Sequence, residues 1–144
     1  MKKIVNIPAL SILILSIFVS CKKDDNSVSA QASALNAAAV QGKWKVTLYN
    51  DNGTDQTNHY TGYEFQFSSN GTVTAAKTGS TISGTWSSGN DDHTLKLVLS
   101  FGATAVFSEL NDDWHVTQQT STLIKLEDVS GGGSGTDYLT FEKI

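Results

Sequence analysis

Few side chains of this sequence have the types and the spacing that catalysis or metal binding requires. The three histidines, His59, His93 and His115, are far apart, and no two of them have the spacing of metal ligands. The chain has a single cysteine, Cys21, and no Gly-x-Ser-x-Gly motif that would present a nucleophilic serine. We therefore predict that the protein is not an enzyme and that it holds no metal ion and no cofactor.

Clusters of acidic and small residues suggest a second kind of chemistry, the chelation of calcium or of phosphate. Asp91-Asp92, Asp112-Asp113 and the segment 50–55 (NDNGTD) supply carboxylates, but no twelve-residue calcium loop follows any of them. The glycine-rich segment 130–135 (SGGGSG) precedes a predicted strand, so it lacks the helix N-terminus that binds phosphate. We interpret all four segments as turns or loops, in which such residues are common.

The charge of the chain also limits the classes of partner that it can bind. The 144 residues carry a formal net charge of −4, and the ten basic residues are all lysines. Nucleic-acid binding requires a concentrated basic patch, which this composition does not supply. The lack of arginine also removes the bidentate group that phosphate and carboxylate sites most often use. We therefore predict no nucleic-acid partner.

The amino terminus has the composition of an export signal. Met1, Lys2 and Lys3 form a positively charged start, residues 4–19 are mostly apolar, and the small residue Ser20 precedes Cys21. The apolar run is too short and too interrupted to predict a membrane span. We therefore expect residues 1–20 to be a signal peptide.

The end of this signal resembles a known motif. Phe18-Val19-Ser20-Cys21 resembles the lipobox of bacterial lipoproteins, with phenylalanine in the position of the usual leucine. The resemblance implies that a diacylglyceryl group is transferred to the Cys21 sulfur, that the chain is cleaved before Cys21, and that the new amino group is acylated. Two or three acyl chains, such as palmitate, anchor a protein stably because each buried methylene contributes about 0.8 kcal/mol. We therefore expect the protein to be attached to a membrane through lipid on Cys21.

The residues after Cys21 predict a location and a tether. Lys22-Lys23-Asp24-Asp25 resembles the lysine-then-acid export signal of surface lipoproteins in some two-membrane bacteria. The expected location is the outer membrane, on either its periplasmic or its cell-surface face. Residues 21–40 are rich in Ser, Ala, Gln and Asn, which predicts a lipidated N-terminus with a flexible tether about 25 Å in span. Only residues 34–40 (ALNAAAV) favour a turn or two of helix.

Residues 41–144 have the pattern of an all-β domain. Eight segments alternate apolar and polar residues, as antiparallel strands buried on one face do. The segment 102–110 (GATAVFSEL) is either a ninth strand or a helical turn that caps the structure. The side chains predicted to point inward are, in chain order, Trp44, Val46 and Leu48; Tyr63, Phe65 and Phe67; Val73 and Ala75; Ile82 and Trp86; Leu95, Leu97 and Leu99; Trp114 and Val116; Ile124 and Leu126; and Leu139 and Phe141.

One turn can be predicted in detail. A two-residue loop at Asn70-Gly71 would place Phe67 opposite Thr74 and so put apolar and polar residues on the same face. A three-residue loop, Ser69-Asn70-Gly71, pairs Phe67 with Val73 instead, provided that Gly71 adopts the left-handed conformation. We therefore predict a bulged hairpin at this position.

Antiparallel strands joined by local turns can form an open sandwich or a closed barrel, and closure removes the exposed edges. Gly42-Lys43-Trp44 resembles the Gly-x-Trp signature of the lipocalins, and together with the lipobox the chain resembles small bacterial lipocalin-like lipoproteins. The resemblance implies an up-and-down antiparallel β-barrel of eight or nine strands over residues 41–144, with Trp44 closing the barrel floor against a short helix. Lipocalins lay an arginine across that tryptophan; here Lys143 or Lys125 is the available replacement.

Two functions are compatible with such a barrel. An eight-stranded barrel holds either packed side chains or one small ligand. If the barrel has a cavity, it binds a small apolar or amphipathic ligand. If the barrel is filled, it binds a protein or polysaccharide partner of the envelope through its loops. The residues predicted to line the ligand site are Trp44, Tyr63, Phe65, Phe67, Trp86 and Leu97.

Overall fold

The computed structural model describes residues 25–91, 93–129 and 135–144. The predicted signal peptide, the lipobox and Cys21 lie outside the described residues, as does most of the segment 130–135. Among the described residues, no helix is both long and apolar enough to cross a membrane. The described elements are the helix α1 (Asp25–Ala39), the strands β1 (Trp44–Asp51), β2 (Thr54–Asp55), β3 (Glu64–Phe67), β4 (Thr72–Lys77), β5 (Ser80–Asp91), β6 (Thr94–Ser100), β7 (Asp112–Gln119), β8 (Leu123–Val129) and β9 (Thr136–Lys143), and the 3₁₀ helices Thr57–Tyr60 and Phe107–Leu110.

The strands form a closed antiparallel barrel, which confirms the predicted fold class. Within the described residues, β1 and β3 to β9 follow one another around the barrel, and β1 pairs with β9 to close it. The pairing of β1 with β3 is confined to Trp44 and Phe65, whereas β1 pairs with β9 from Trp44 to Asn50. The remaining strand, β2, pairs with the end of β1 and is not part of the closed barrel. The segment 102–110 therefore does not supply a strand, and its residues Phe107–Leu110 form a 3₁₀ helix, called the cap below.

The bulged hairpin is confirmed. Phe67 pairs with Val73 and Phe65 with Ala75, the register that the three-residue loop predicts. Gly71 has a φ of 83°, and its N–H donates to Ser68 O at 3.0 Å. Glycine suits this position because a side chain is strained in the left-handed conformation. Phe65, Phe67, Val73 and Ala75 are all buried on the inner face.

The predicted register of β1 is wrong after Val46. A β-bulge between Val46 and Leu48 adds one residue to the strand, and each added residue reverses which side chains face inward. Leu48, predicted to point inward, is 38% exposed, and Tyr49 is 2% exposed in its place. A second bulge lies between Val116 and Gln118 in β7, where Val116 is only partly buried against the core.

The predicted flexible tether is also wrong over its described part, because residues 25–39 form the helix α1. Val28, Leu35 and Ala39 are buried in the barrel core, and Ala32 packs against it. Their spacing of four, three and four residues places them on one face of a helix. Packing of this face against β5, β6 and Trp44 stabilises a helix whose composition alone would leave it marginal.

The barrel is closed at both ends. At the end where β1 begins, α1 packs against the strands and contributes Leu35 and Ala39, both fully buried, to the core. At the other end, the cap contributes Phe107 and Leu110, which are 1% and 0% exposed. The aromatic and aliphatic side chains of the strands fill the space between them.

Candidate functional site

The six residues predicted to bind a ligand lie in one place, but they form the core of the barrel. Trp44, Phe65 and Leu97 are completely buried, and Phe67, Trp86 and Tyr63 are 1%, 7% and 9% exposed. The sequence therefore predicts correctly that these side chains converge. Of these six residues, Trp86 also lines a surface cleft, which is described below.

Aromatic rings occupy the interior of the barrel. Phe67 meets Trp86 and Phe141 edge to face, with ring centroids 5.3 and 5.6 Å apart. Toward the cap, the Phe107 ring lies 4.9 Å from that of Tyr63 and 6.1 Å from that of Phe65. These are the separations of rings in direct contact. The interior is thus occupied by side chains at the positions where a lipocalin-like ligand was expected.

Trp44 closes the barrel floor. Its indole Nε1 donates a hydrogen bond to Ala39 O, at the end of α1, over 2.9 Å. The Lys143 ammonium group lies 5.1 Å from the indole centroid, close enough for a cation–π contact. Gly42, two residues earlier, has a φ of 93°, which turns the chain from the helix into β1. Lys143, rather than Lys125, is therefore the lysine over the indole.

The cap is held by tyrosine hydroxyl groups. Tyr49 Oη donates to Glu109 O at 3.0 Å, and Tyr60 Oη donates to Val106 O at 2.8 Å. Burial raises the pKa of both phenols. They therefore stay protonated as donors, whereas a general base at neutral pH would need a lowered pKa. His59 Nδ1 lies 3.3 Å from Glu109 Oε2 and adds a polar contact to the cap. This network of hydrogen bonds holds the cap to the barrel.

One acidic cluster is present at the start of β7. Carboxylate oxygens of Asp112, Asp113 and Asp128 lie within 4.8 Å of one another. Lys96 Nζ donates to Asp113 Oδ2 at 2.7 Å, and this bond lowers the pKa of Asp113, whereas burial raises the pKa of Asp112. Lys96 thus supplies a positive charge to the cluster. Asp112-Asp113, predicted to be in a turn, is the beginning of a strand, because both residues continue the ladder with β6.

A surface cleft lies between α1, β5 and the turn from β3 to β4. Its volume is about 470 Å³, within the range of about 300–1,000 Å³ for sites that bind small molecules. The sequence gives no indication of this cleft, because its walls come from three segments far apart along the chain. Its lining residues are Asn36, Ala37 and Val40 of and after the helix, Ser69 and Gly71 of the turn, and Trp86, Ser87 and Ser88 of β5.

Hydrogen bonds fix the walls of this cleft. Ser88 Oγ donates to Asn36 Oδ1 at 2.8 Å and so ties the helix to β5. Trp86 Nε1 donates to Ser68 O at 2.9 Å, and Trp86 N donates to Gly71 O at 2.8 Å, so that the turn is tied to β5 as well. The cleft is therefore formed before any ligand arrives.

The chain was compared with protein families, with curated proteins and with solved structures. No family model matches the sequence, and no curated protein matches it. Among solved structures, the chain is similar to a DUF4847 family protein from Bacteroides vulgatus, with 21% sequence identity and a TM-score of 0.46. The alignment covers 72% of this chain and 93% of that protein.

Proposed function

We propose that this protein is a lipid-anchored envelope protein that recognises its partner with the outside of a filled barrel. The observation that carries the proposal is the burial of Trp44, Tyr63, Phe65, Phe67 and Leu97 in a core of touching rings. Of the two functions compatible with the sequence, a filled barrel with external recognition is better supported than a barrel with an internal ligand.

The energetic argument concerns what an internal ligand would have to displace. Protein interiors are packed to the density of organic crystals, so a ligand cannot enter without moving side chains. Removing one buried phenylalanine from its packing costs about 3–5 kcal/mol. A ligand the size of a fatty acid would need the displacement of several of the rings between Phe107 and Trp44. Recognition through the outer surface has no such cost.

The anchor is supported by the lipobox and by the position of α1. Four residue steps separate Cys21 from Asp25, where the helix begins. At about 3.3–3.6 Å per residue, these steps span at most about 14 Å. Because α1 is packed into the barrel core, the start of the helix would stay within about this distance of the lipid and would hold the barrel beside the membrane. The proposed protein therefore works at the membrane surface.

A titration of the full-length protein tests the filled barrel. We expect no saturable change in tryptophan fluorescence with palmitate or haem, since Trp44, Trp86 and Trp114 are already buried against protein atoms. Phe107→Ala is the positive control, because it opens an apolar cavity under the cap that should bind indole or benzene. Saturable binding of palmitate to the unaltered protein, at micromolar concentration, would overturn the proposal.

Metabolic labelling tests the anchor separately. With an alkyne analogue of palmitate as label, we expect the unaltered chain to be labelled and membrane-bound, and Cys21→Ala to be unlabelled and released. Ser20→Ala is the matched control, because alanine keeps a small residue before the cysteine and should preserve the label. A labelled, membrane-bound Cys21→Ala variant would contradict the anchor.

A further inference from the structure

We propose that the cleft between α1, β5 and the β3–β4 turn binds a neutral saccharide. The proposal rests on the external recognition proposed above, and it names the chemistry of the partner. The site is the cleft of about 470 Å³ whose walls are tied together by the Ser88 to Asn36 and Trp86 to Ser68 hydrogen bonds.

Among the residues that the structure describes, none that lines the cleft carries an ionisable side chain. Its eight residues are serines, an asparagine, a glycine, a tryptophan, an alanine and a valine. A phosphate, sulfate or carboxylate ligand would lose its hydration without gaining a counter-charge, which is unfavourable. A cationic ligand would meet the same difficulty. The cleft therefore selects an uncharged ligand.

The polar groups of the lining disfavour a purely apolar ligand. Ser69, Ser87 and Ser88 each carry a hydroxyl group that can donate and accept hydrogen bonds. The bond from Ser88 uses Asn36 Oδ1, so the two N–H donors of the Asn36 amide remain available for a ligand. An apolar ligand would cover these groups and deprive them of water. A ligand rich in hydroxyl groups replaces that water with hydrogen bonds.

The apolar part of the lining fits the ring of a sugar. Trp86, Ala37 and Val40 provide an indole, a methyl group and an isopropyl group on the same cleft. The C–H bonds of a pyranose can pack on this surface while its hydroxyl groups face the serines and Asn36. Trp86 is held in place by its bond to Ser68 and by its edge-to-face contact with Phe67 at 5.3 Å. A rigid aromatic wall loses little entropy on binding.

The three tryptophans make the test specific. In a ¹⁵N-labelled full-length protein, each indole N–H gives its own signal, and Trp→Phe variants assign the three. The protein is kept in a detergent without a sugar headgroup, and it is titrated with maltotetraose, cellotetraose, xylotetraose and mannotetraose to 20 mM. We expect at least one of these sugars to shift the Trp86 signal saturably, while the Trp114 signal, buried at the cap with its N–H bonded to Leu110 O, stays in place.

Charged and lipid-linked sugars complete the panel. Tetragalacturonate should bind at least tenfold more weakly than the best neutral sugar, because the described lining of the cleft offers no cation. Vesicles of phosphatidylethanolamine with monogalactosyldiacylglycerol present the same chemistry as a lipid headgroup. A Trp86 shift with these vesicles and with none of the free sugars would identify a glycolipid as the source of the saccharide.

Two helix variants separate the cleft from the rest of the surface. Ala37→Leu fills the cleft from an exposed position and should abolish the Trp86 shift, whereas Ala34→Leu, exposed on the same helix outside the cleft, should leave it unchanged. Asn36→Ala should weaken binding at least fivefold, because it removes a hydrogen bond to the ligand together with the bond from Ser88 that holds the cleft wall. The absence of a Trp86 shift with every sugar and with the vesicles, equal binding of tetragalacturonate, or an undiminished shift in Ala37→Leu would each overturn the proposal. The palmitate titration is independent of these results, so a failure of the cleft can be distinguished from a failure of the filled barrel.

Discussion

The replacement of Trp44 by alanine tests how the barrel floor is built. Trp44 is completely buried, and its indole joins the end of α1 to the first and last strands through Ala39 O and Lys143. A buried tryptophan removes about 150–250 Å² from water, and at about 25 cal/mol per Å² this corresponds to about 4–6 kcal/mol. Measured losses for truncating large aromatic residues are about 3–5 kcal/mol. We expect Trp44→Ala to lower the free energy of unfolding by about 4 kcal/mol.

Two further variants show how much of this loss of stability comes from burial, from the hydrogen bond and from the cation–π contact. Trp44→Phe keeps an aromatic ring in the core and removes the N–H donor to Ala39 O, so we expect a loss of about 1–2 kcal/mol from the broken bond and imperfect filling. Lys143→Met removes the cation over the indole and keeps the length of the side chain, so we expect a loss below about 1 kcal/mol. Burial should thus dominate over both polar contacts.

The assay is equilibrium unfolding in urea, followed by far-ultraviolet circular dichroism because the substitution itself alters the fluorescence. Tyr138→Ala is the control: Tyr138 is an aromatic residue of β9, beside β1, and is 44% exposed. Its replacement should change the free energy of unfolding by about 0.5 kcal/mol or less. A loss below about 1 kcal/mol for Trp44→Ala, or a loss equal to that of Trp44→Phe, would refute the role given to the buried indole.

Four other substitutions test the bulge, a close approach and an ionisable group, each by the free energy of unfolding. Leu48→Ala should cost less than about 1 kcal/mol and Tyr49→Ala about 3–5 kcal/mol, because the bulge turns Tyr49 inward; the reverse order would contradict the register. Gly84→Ala should cost about 1–3 kcal/mol, since a Cβ at this position overlaps Ser100 O; a neutral result would show that β5 can shift there. Burial raises the pKa of Asp112, so its charged form opposes folding above that pKa. Asp112→Asn should therefore be more stable than the unaltered protein at pH 7 and equal to it near pH 3, and a stabilisation that does not depend on pH would exclude this cause.

The inner face of the barrel could be predicted because burial on one side imposes strict alternation. Phe65, Phe67, Val73 and Ala75 follow that rule, and the Ser69–Gly71 loop was the connection that kept them on one face. Alternation fails in β1 because a single bulged residue reverses the pattern. Val46, Thr47, Leu48 and Tyr49 all have high or moderate preference for strands, so their order does not show where the extra residue lies.

The helix and the cleft depend on contacts between distant segments. In α1, the apolar face consists of Val28, Ala32, Leu35 and Ala39, separated by Ser, Ala, Gln and Asn, and the average composition is that of a tether. The helix is stable because the barrel covers that face. The cleft then exists because Asn36 meets Ser88, 52 residues later, and no local pattern encodes such a meeting.

The closure of the barrel between β1 and β9 has a consequence for the synthesis of the chain. The first strand, β1, pairs with the last strand, β9, from Trp44 to Asn50. Its pairing with β3, its other neighbour in the barrel, is confined to Trp44 and Phe65. Pairing between segments so distant in sequence is slow, and it cannot begin until the final strand has left the ribosome. A nascent chain of this design stays open until translation is complete. For a protein that we propose to be exported, this order of pairing means that the barrel is still open for as long as the chain is being synthesised.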